Sequence, residues 1–153
     1  MAESFRTRIA RWRFNLFPAY RGTGGRITYI AGDWLEVRIK LPLNWRTRNY
    51  VGTTFGGSMY AAVDPVYMLM LIKALGKGYL VWDKAATIHF KKPGRTTLYA
   101  SFVMSKEEIA SITDELMRVP TIERVYHVDL TDSDDAVHAT VDKTIYVRRK
   151  EAG

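Results

Sequence analysis

The chain has 153 residues, 47% of them hydrophobic and 25% charged, with a formal net charge of +7 and no cysteine. That length fits one domain with ample apolar material for a core. The lack of cysteine excludes disulfides, thiolate zinc sites and cysteine nucleophiles, and it fits a cytoplasmic protein. The positive charge invites an anionic partner such as nucleic acid, lipid or an anionic cofactor. It is scattered, however, over Arg6, Arg8, Arg11 and Arg13, then Arg46 and Arg48, then Lys91, Lys92 and Arg95, then Arg148, Arg149 and Lys150. No RNA-binding or helix-turn-helix signature accompanies it, so no nucleic-acid partner is expected. A generic basic surface and a specific anion site both remain open.

In chain order, residues 1–17 lack the unbroken apolar run of a signal peptide. Phe5, Ile9, Trp12 and Leu16 instead recur on one helical face, most arginines lie off that stripe, and Pro18 stops the pattern. Docking of this stripe on its own domain is the preferred reading; a membrane surface or a partner is the alternative. Residues 27–31 and 35–41 read as two strands with a turn at Gly32-Asp33. In the second strand Leu35, Val37, Ile39 and Leu41 alternate with charged residues. A polar loop leads to a helix over 56–75 that is apolar nearly all round, so protein should surround it. Asp64, Pro65 and Lys73 within this run argue for a core helix and against a membrane span. Gly76 and Gly78 end it, as a left-handed C-terminal cap does.

The second half is strand-rich. Strands are expected over 79–91 and 96–104, joined by the turn residues Lys92-Pro93-Gly94-Arg95. A short helix over 105–118 opens with the capping-box pair Ser105 and Glu108 and stops before Pro120. Strands over 121–130 and 136–149 follow, separated by a polar turn rich in aspartate. One all-round apolar helix among long antiparallel strands requires a sheet that curls around it, an α+β fold. Residues 1–20 then form an N-terminal amphipathic helix and 21–153 a single domain.

Two stretches carry metal-like residues without metal-like spacing. His89, His127 and His138 stand far apart on separate strands, and no metal is expected from them. Asp132, Asp134 and Asp135 lack the glycine and distal Glu of a calcium loop and read as a hairpin turn.

The helix start is the candidate site. Gly56 and Gly57 admit a bland reading as a tight turn or a close-packing position. Asp64, directly before Pro65, reads equally as the N-cap of a helix beginning there. A proline inside a continuous helix would instead kink it near Asp64 and free a carbonyl around Ala61.

The run Phe55-Gly56-Gly57-Ser58-Met59-Tyr60-Ala61-Ala62-Val63-Asp64 resembles the hotdog-fold thioesterases, above all their phenylacetate-type branch. There a His-Gly-Gly turn opens the central helix and an Asp stands seven residues after the second glycine, the place of Asp64 after Gly57. Asn49 matches an Asn seven residues before the first glycine, and 88–102 is similar to the strand and turn after the helix. The resemblance, over about 25–149, implies the hotdog fold, an antiparallel sheet wrapped around a central apolar helix. It further implies an acyl-coenzyme A thioesterase with no cofactor beyond the coenzyme A of its substrate. It implies a homodimer or homotetramer whose site lies between subunits, Asp64 of one facing the glycine turn and Asn49 of the other.

On this reading Asp64, Gly56, Gly57 and Asn49 form the catalytic set. First-turn backbone N–H groups await the oxyanion, glycines allow close approach, and the carboxylate acts as general base or nucleophile. In a mostly apolar helix that carboxylate should be desolvated. Phe55 and Ser58 border the substrate, and the coenzyme A phosphates give Lys91, Lys92 and Arg95 an anionic partner. Phe55 replaces the family's histidine and cannot hydrogen-bond a thioester. A non-catalytic acyl-coenzyme A or lipid-binding protein is therefore the alternative. Assembly would use a free sheet edge, and Ile145 and Val147 on the last strand carry no charge to prevent it.

Overall fold

The computed structural model describes residues 1–151. Its elements are α1 (Phe5–Leu16), α2 (Pro18–Gly22), β1 (Arg26–Ile30), β2 (Glu36–Leu41), α3 (Gly56–Val63), α4 (Val66–Leu75), β3 (Tyr79–Phe90), β4 (Leu98–Val103), α5 (Lys106–Glu115), β5 (Thr121–Thr131) and β6 (Val137–Arg149). The expected elements are all present, with ends displaced by a few residues. The short helix α2 was not foreseen, and the central helix divides at Asp64-Pro65.

The strands form one six-stranded antiparallel sheet in the order β1-β2-β4-β5-β6-β3. The Lys92-Pro93-Gly94-Arg95 turn therefore closes no hairpin. It carries the chain from the edge strand β3 to β4, which pairs with β2 and touches β5 only at Tyr99–Thr131. The expectation about Ile145 and Val147 is corrected in the same way. Strand β6 lies between β5 and β3, and both side chains are fully buried in the core.

The edges are β1 and β3, and they differ. The Asn15 side chain of α1 donates to the Ile27 carbonyl and accepts from the Ile27 N–H, both at 2.8 Å, so α1 occupies the β1 edge. On β3 most residues from Lys84 to Phe90 are exposed, and its outer edge is open.

The inward rows of β2 (Val37, Ile39, Leu41), β4 (Leu98, Phe102) and β6 (Val141, Ile145, Val147) pack against Met59, Val63, Val66, Met70 and Leu71 of the central helix. The helix is not covered all round, since Ile72 and Lys73 on its outer side are exposed. Its break has the cause expected: Pro65 has no N–H to donate. Tyr20 of α2 donates to the Ala62 carbonyl at 3.0 Å, supplying a partner at the interruption. Gly76 takes a positive φ of 79° at the C-terminus, but its ψ of −168° is not that of a left-handed helical cap.

The α5 cap is half of the expected box. Ser105 Oγ accepts from the Glu108 N–H, while the Glu108 carboxylate turns to Arg124 and Tyr126 on β5. The full box stands on α1, where Ser4 and Thr7 cap one another.

Candidate active site

The loop before α3 is built to deliver the helix start. Thr47 O accepts from Phe55 N at 2.7 Å, and Thr54 N donates to Gly94 O at 2.8 Å, tying the loop to the turn after β3. Asn49 is the centre of this loop. Its Oδ1 accepts from the N–H groups of Val51 and Thr53, and its Nδ2 donates to Thr53 Oγ1. Both ends of the amide are thus occupied in shaping the loop.

Phe55 precedes α3 in extended conformation, and no side chain caps the first turn. Neither Gly56 nor Gly57 has a positive φ, so the turn explanation for the pair is excluded. Close approach is what requires them. A Cβ at Gly56 would stand 2.8 Å from Phe90 Cζ, and one at Gly57 would stand 2.4 Å from Phe55 Cε1. Two half-exposed aromatic rings therefore lean over the first turn, in a space that a side chain at either position could enter only by displacing a ring. Ser58 is buried within the helix.

Gly56 shares a shallow groove of about 420 Å³ with Asn49, Thr53, Thr54, Met59, Phe90, Lys91, Lys92 and Pro93. The structure thus brings together Asn49, Gly56 and the two lysines; Arg95 is exposed nearby in the chain but does not line the groove.

Asp64 lies elsewhere. It caps the C-terminus of α3 in helical conformation, and α4 has no side-chain N-cap bond, so the N-cap reading of Asp64 is excluded. It lines a separate cleft of about 240 Å³ with Tyr60, Ala61, Pro65, Phe14, Phe17, Ala19, Tyr20 and Thr23. Within one protomer it does not share a cavity with the glycine turn.

The surroundings of Asp64 were not foreseen. Lys143 of β6 is 1% exposed, yet its ammonium reaches Asp64 Oδ1 at 2.5 Å and Asp83 Oδ1 of β3 at 3.1 Å. Tyr60 donates to the same Asp64 Oδ1 at 2.6 Å, one helical turn away. Asp64 Oδ2 has no hydrogen-bond partner among the described residues, and the side chain is 41% exposed. The desolvated carboxylate expected from an apolar helix is therefore corrected to an accessible one paired with a buried ammonium. Burial opposes the charge on Lys143, but the hydrogen bonds and charges of Asp64 and Asp83 outweigh it and raise its pKa. Burial also raises Asp83, against the pull of Lys143 and with help from the Asp64 charge. Asp83 Oδ1 is buried at ion-pair distance from the ammonium without hydrogen-bond alignment.

A sequence signal for Lys143 did exist. In β6 the alternation Val141, Lys143, Ile145, Val147 puts a lysine in the apolar row. What that row cannot reveal is which carboxylates face it.

The histidines hold polar positions. His127 lies between Asp142 and Asp129 at 2.8 Å each, and His138 between Asp132 and the Pro93 carbonyl. Asp132 Oδ1 accepts from the N–H groups of Asp134 and Ala136, as a tight turn requires. No cluster of three or more metal-ligating side chains occurs among the described residues.

Comparison with solved structures supplies the fold's relatives. A Pseudomonas aeruginosa protein of unknown function, described as a probable thioesterase, superposes with a TM-score of 0.84 at 18% identity, over 98% of this chain and 100% of that one. A Chlorobaculum tepidum protein of unknown function gives 0.75 at 14% identity, covering 95% of each chain. A Haemophilus influenzae thioesterase gives 0.70 at 15% identity, over 96% of this chain and 93% of that one. The comparison with curated proteins gave no match. The architecture is the hotdog fold. A family profile described as a domain of unknown function, DUF4442, matches residues 6–147, and the chain belongs to that family.

Proposed function

We propose that the protein is a thioester hydrolase acting on an acyl-coenzyme A, with Asp64 as its general base. The observation that carries this reading is the state of Asp64: Oδ1 is fixed by Lys143 and Tyr60, Oδ2 has no hydrogen-bond partner among the described residues, and the residue lines a cleft. A carboxylate held by one oxygen presents the other in a set direction, which is what a positioned base needs. Oδ2 takes a proton from water, and the oxygen of that water bonds to the thioester carbonyl carbon. The charge on the carbonyl oxygen is met by the uncapped first-turn N–H groups at Gly56 and Gly57. When the carbon–sulfur bond breaks, the coenzyme A thiolate recovers the proton from Asp64.

Asp64 and the glycine turn occupy separate cavities in one protomer, so the reading requires a second subunit. The open β3 edge is the surface for it: pairing of two such edges makes the dimer, with a tetramer as its further assembly. Sedimentation at micromolar concentration as a single 17.5 kDa species would remove this arrangement. Asn49 then acts by shaping the loop beside the turn. Lys91 and Lys92 in the groove, with Arg95 near it, meet the coenzyme A phosphates, and Phe55 and Phe90 cover the acyl thioester. The cysteine-free composition supports a cytoplasmic setting.

A second reading is a non-catalytic acyl-coenzyme A or lipid-binding protein, and Phe55 in the place of the family's histidine favours it. A panel of acyl-coenzyme A substrates with thiol detection separates the two. Under the first reading the wild type releases thiol and Asp64→Asn slows release at least 100-fold, the scale of a lost general base. Release at the wild-type rate from the variant ends the role of Asp64, and saturable binding without release establishes the second reading.

A further inference from the structure

We propose that α1 is a membrane-surface helix that seats the protein on anionic phospholipid. Docking of the stripe on the domain, the preferred expectation, is not what the structure contains. Phe5 is 74% and Trp12 62% exposed, and Ile9, Leu16 and the following Phe17 are exposed as well. At about 100° per residue Phe5, Ile9, Trp12 and Leu16 fall within a sector of roughly 60°. The opposite side faces the domain, with Thr7 buried and the Phe14 ring packed edge-on against Tyr20 at 5.5 Å. The stripe therefore points directly away from the protein.

The charges flank it in the manner of an interfacial helix. Arg6 and Arg13 lie on one border and Arg8 on the other, all exposed, and α1 contains no acidic residue. Long basic side chains beside an apolar strip reach back to headgroup phosphates while the strip enters the acyl boundary. The helix is also held firmly in this pose, by the Ser4–Thr7 box, by Arg11 bonded twice to Glu3, and by Asn15 on the β1 backbone. Charge complementarity selects lipid over a second copy of the chain. A two-fold pairing of identical stripes would set arginines against arginines with no carboxylate on the helix to meet them.

A route inward accompanies the surface. Phe14 and Phe17 line both the cleft that contains Asp64 and an adjoining one with Trp34, Leu69 and Lys73. An apolar chain leaving the membrane at α1 would meet these clefts next. The docking itself stands without the hydrolase reading.

The test is flotation of the full-length protein with vesicles of phosphatidylcholine alone or mixed with phosphatidylglycerol, at low and high salt. The wild type is expected to be captured by the anionic vesicles at least tenfold better than by the neutral ones, and to be released by salt. Phe5→Ser with Trp12→Ser should lose at least tenfold in capture with an unchanged melting temperature and sedimentation mass. Arg6→Gln with Arg13→Gln should weaken capture by anionic vesicles alone, which keeps the test open if the stripe variant folds poorly. No capture of the wild type at low salt overturns the proposal. So does undiminished capture of the stripe variant, which reduces binding to diffuse charge. A fall in the sedimentation mass of the stripe variant also overturns it, because it makes the stripe a contact between copies.

Discussion

Replacing Lys143 with methionine tests the polar node beneath the candidate base. Methionine keeps most of the buried stem and removes the ammonium that joins Asp64 to Asp83. Removing one member of a buried ion pair costs about 3–5 kcal/mol, because the remaining charge is left uncompensated. Here the exposed Asp64 carboxylate regains water, and the cost falls mainly on Asp83, whose Oδ1 is buried without another partner. The expected loss is therefore about 2–3 kcal/mol at pH 8, read by urea unfolding followed through tryptophan fluorescence. The pH dependence identifies the cause. The folded-state pKa of Asp83 is already raised, first by burial, and loss of Lys143 removes the interaction that lowers it. A raised carboxyl binds its proton more tightly in the folded state, so its destabilisation is full above that raised pKa and shrinks as pH falls through it towards the ordinary carboxyl value. The penalty of Lys143→Met should thus be smaller at pH 5 than at pH 8, and Asp83→Asn in the same chain should recover part of it. A loss under about 1 kcal/mol, or one independent of pH, refutes the ion-pair account.

Gly57→Val places a branched side chain against the half-exposed Phe55 ring, which can swing into solvent. Unfolding should shift by only about 1 kcal/mol while acyl-coenzyme A turnover or binding is lost; unchanged affinity and turnover would defeat the site. Tyr20→Phe removes the donor to the Ala62 carbonyl at the helix break and should cost about 1–2 kcal/mol in the same urea assay; no change means that water replaces the phenol. The pKa of His127 is raised, first by its hydrogen bond to Asp142 and also by Asp129. Its stabilisation is therefore full below the unfolded pKa near 6.5 and is lost as pH rises through the higher folded value. An NMR titration should find that midpoint above 6.5, and Asp142→Asn should lower it.

The elements were legible because their causes are local. Alternation along β2 and β6, the all-round apolar run of the central helix, and Pro65 within it each impose a backbone form whatever the rest of the chain does. The motif around Gly56, Gly57 and Asp64 could be located for the same reason. The roles of its parts could not. Asn49 faces its own loop, the glycines accommodate the rings of Phe55 and Phe90, and Asp64 rests on a lysine of β6.

The amino-acid sequence by itself determined where helices and strands form, which rows are apolar and where a glycine turn and a carboxylate sit along one helix. Periodicity records which side of an element is apolar, not what that side meets. Only the tertiary structure decided that β3 and not β6 is the free edge, that the stripe of α1 looks outward, and that Lys143 lies between Asp64 and Asp83. The first and last of these depend on the order of strands in the sheet, and the second on which face of α1 meets β1. That order is selected by burial summed over the whole core, so no single segment can encode it.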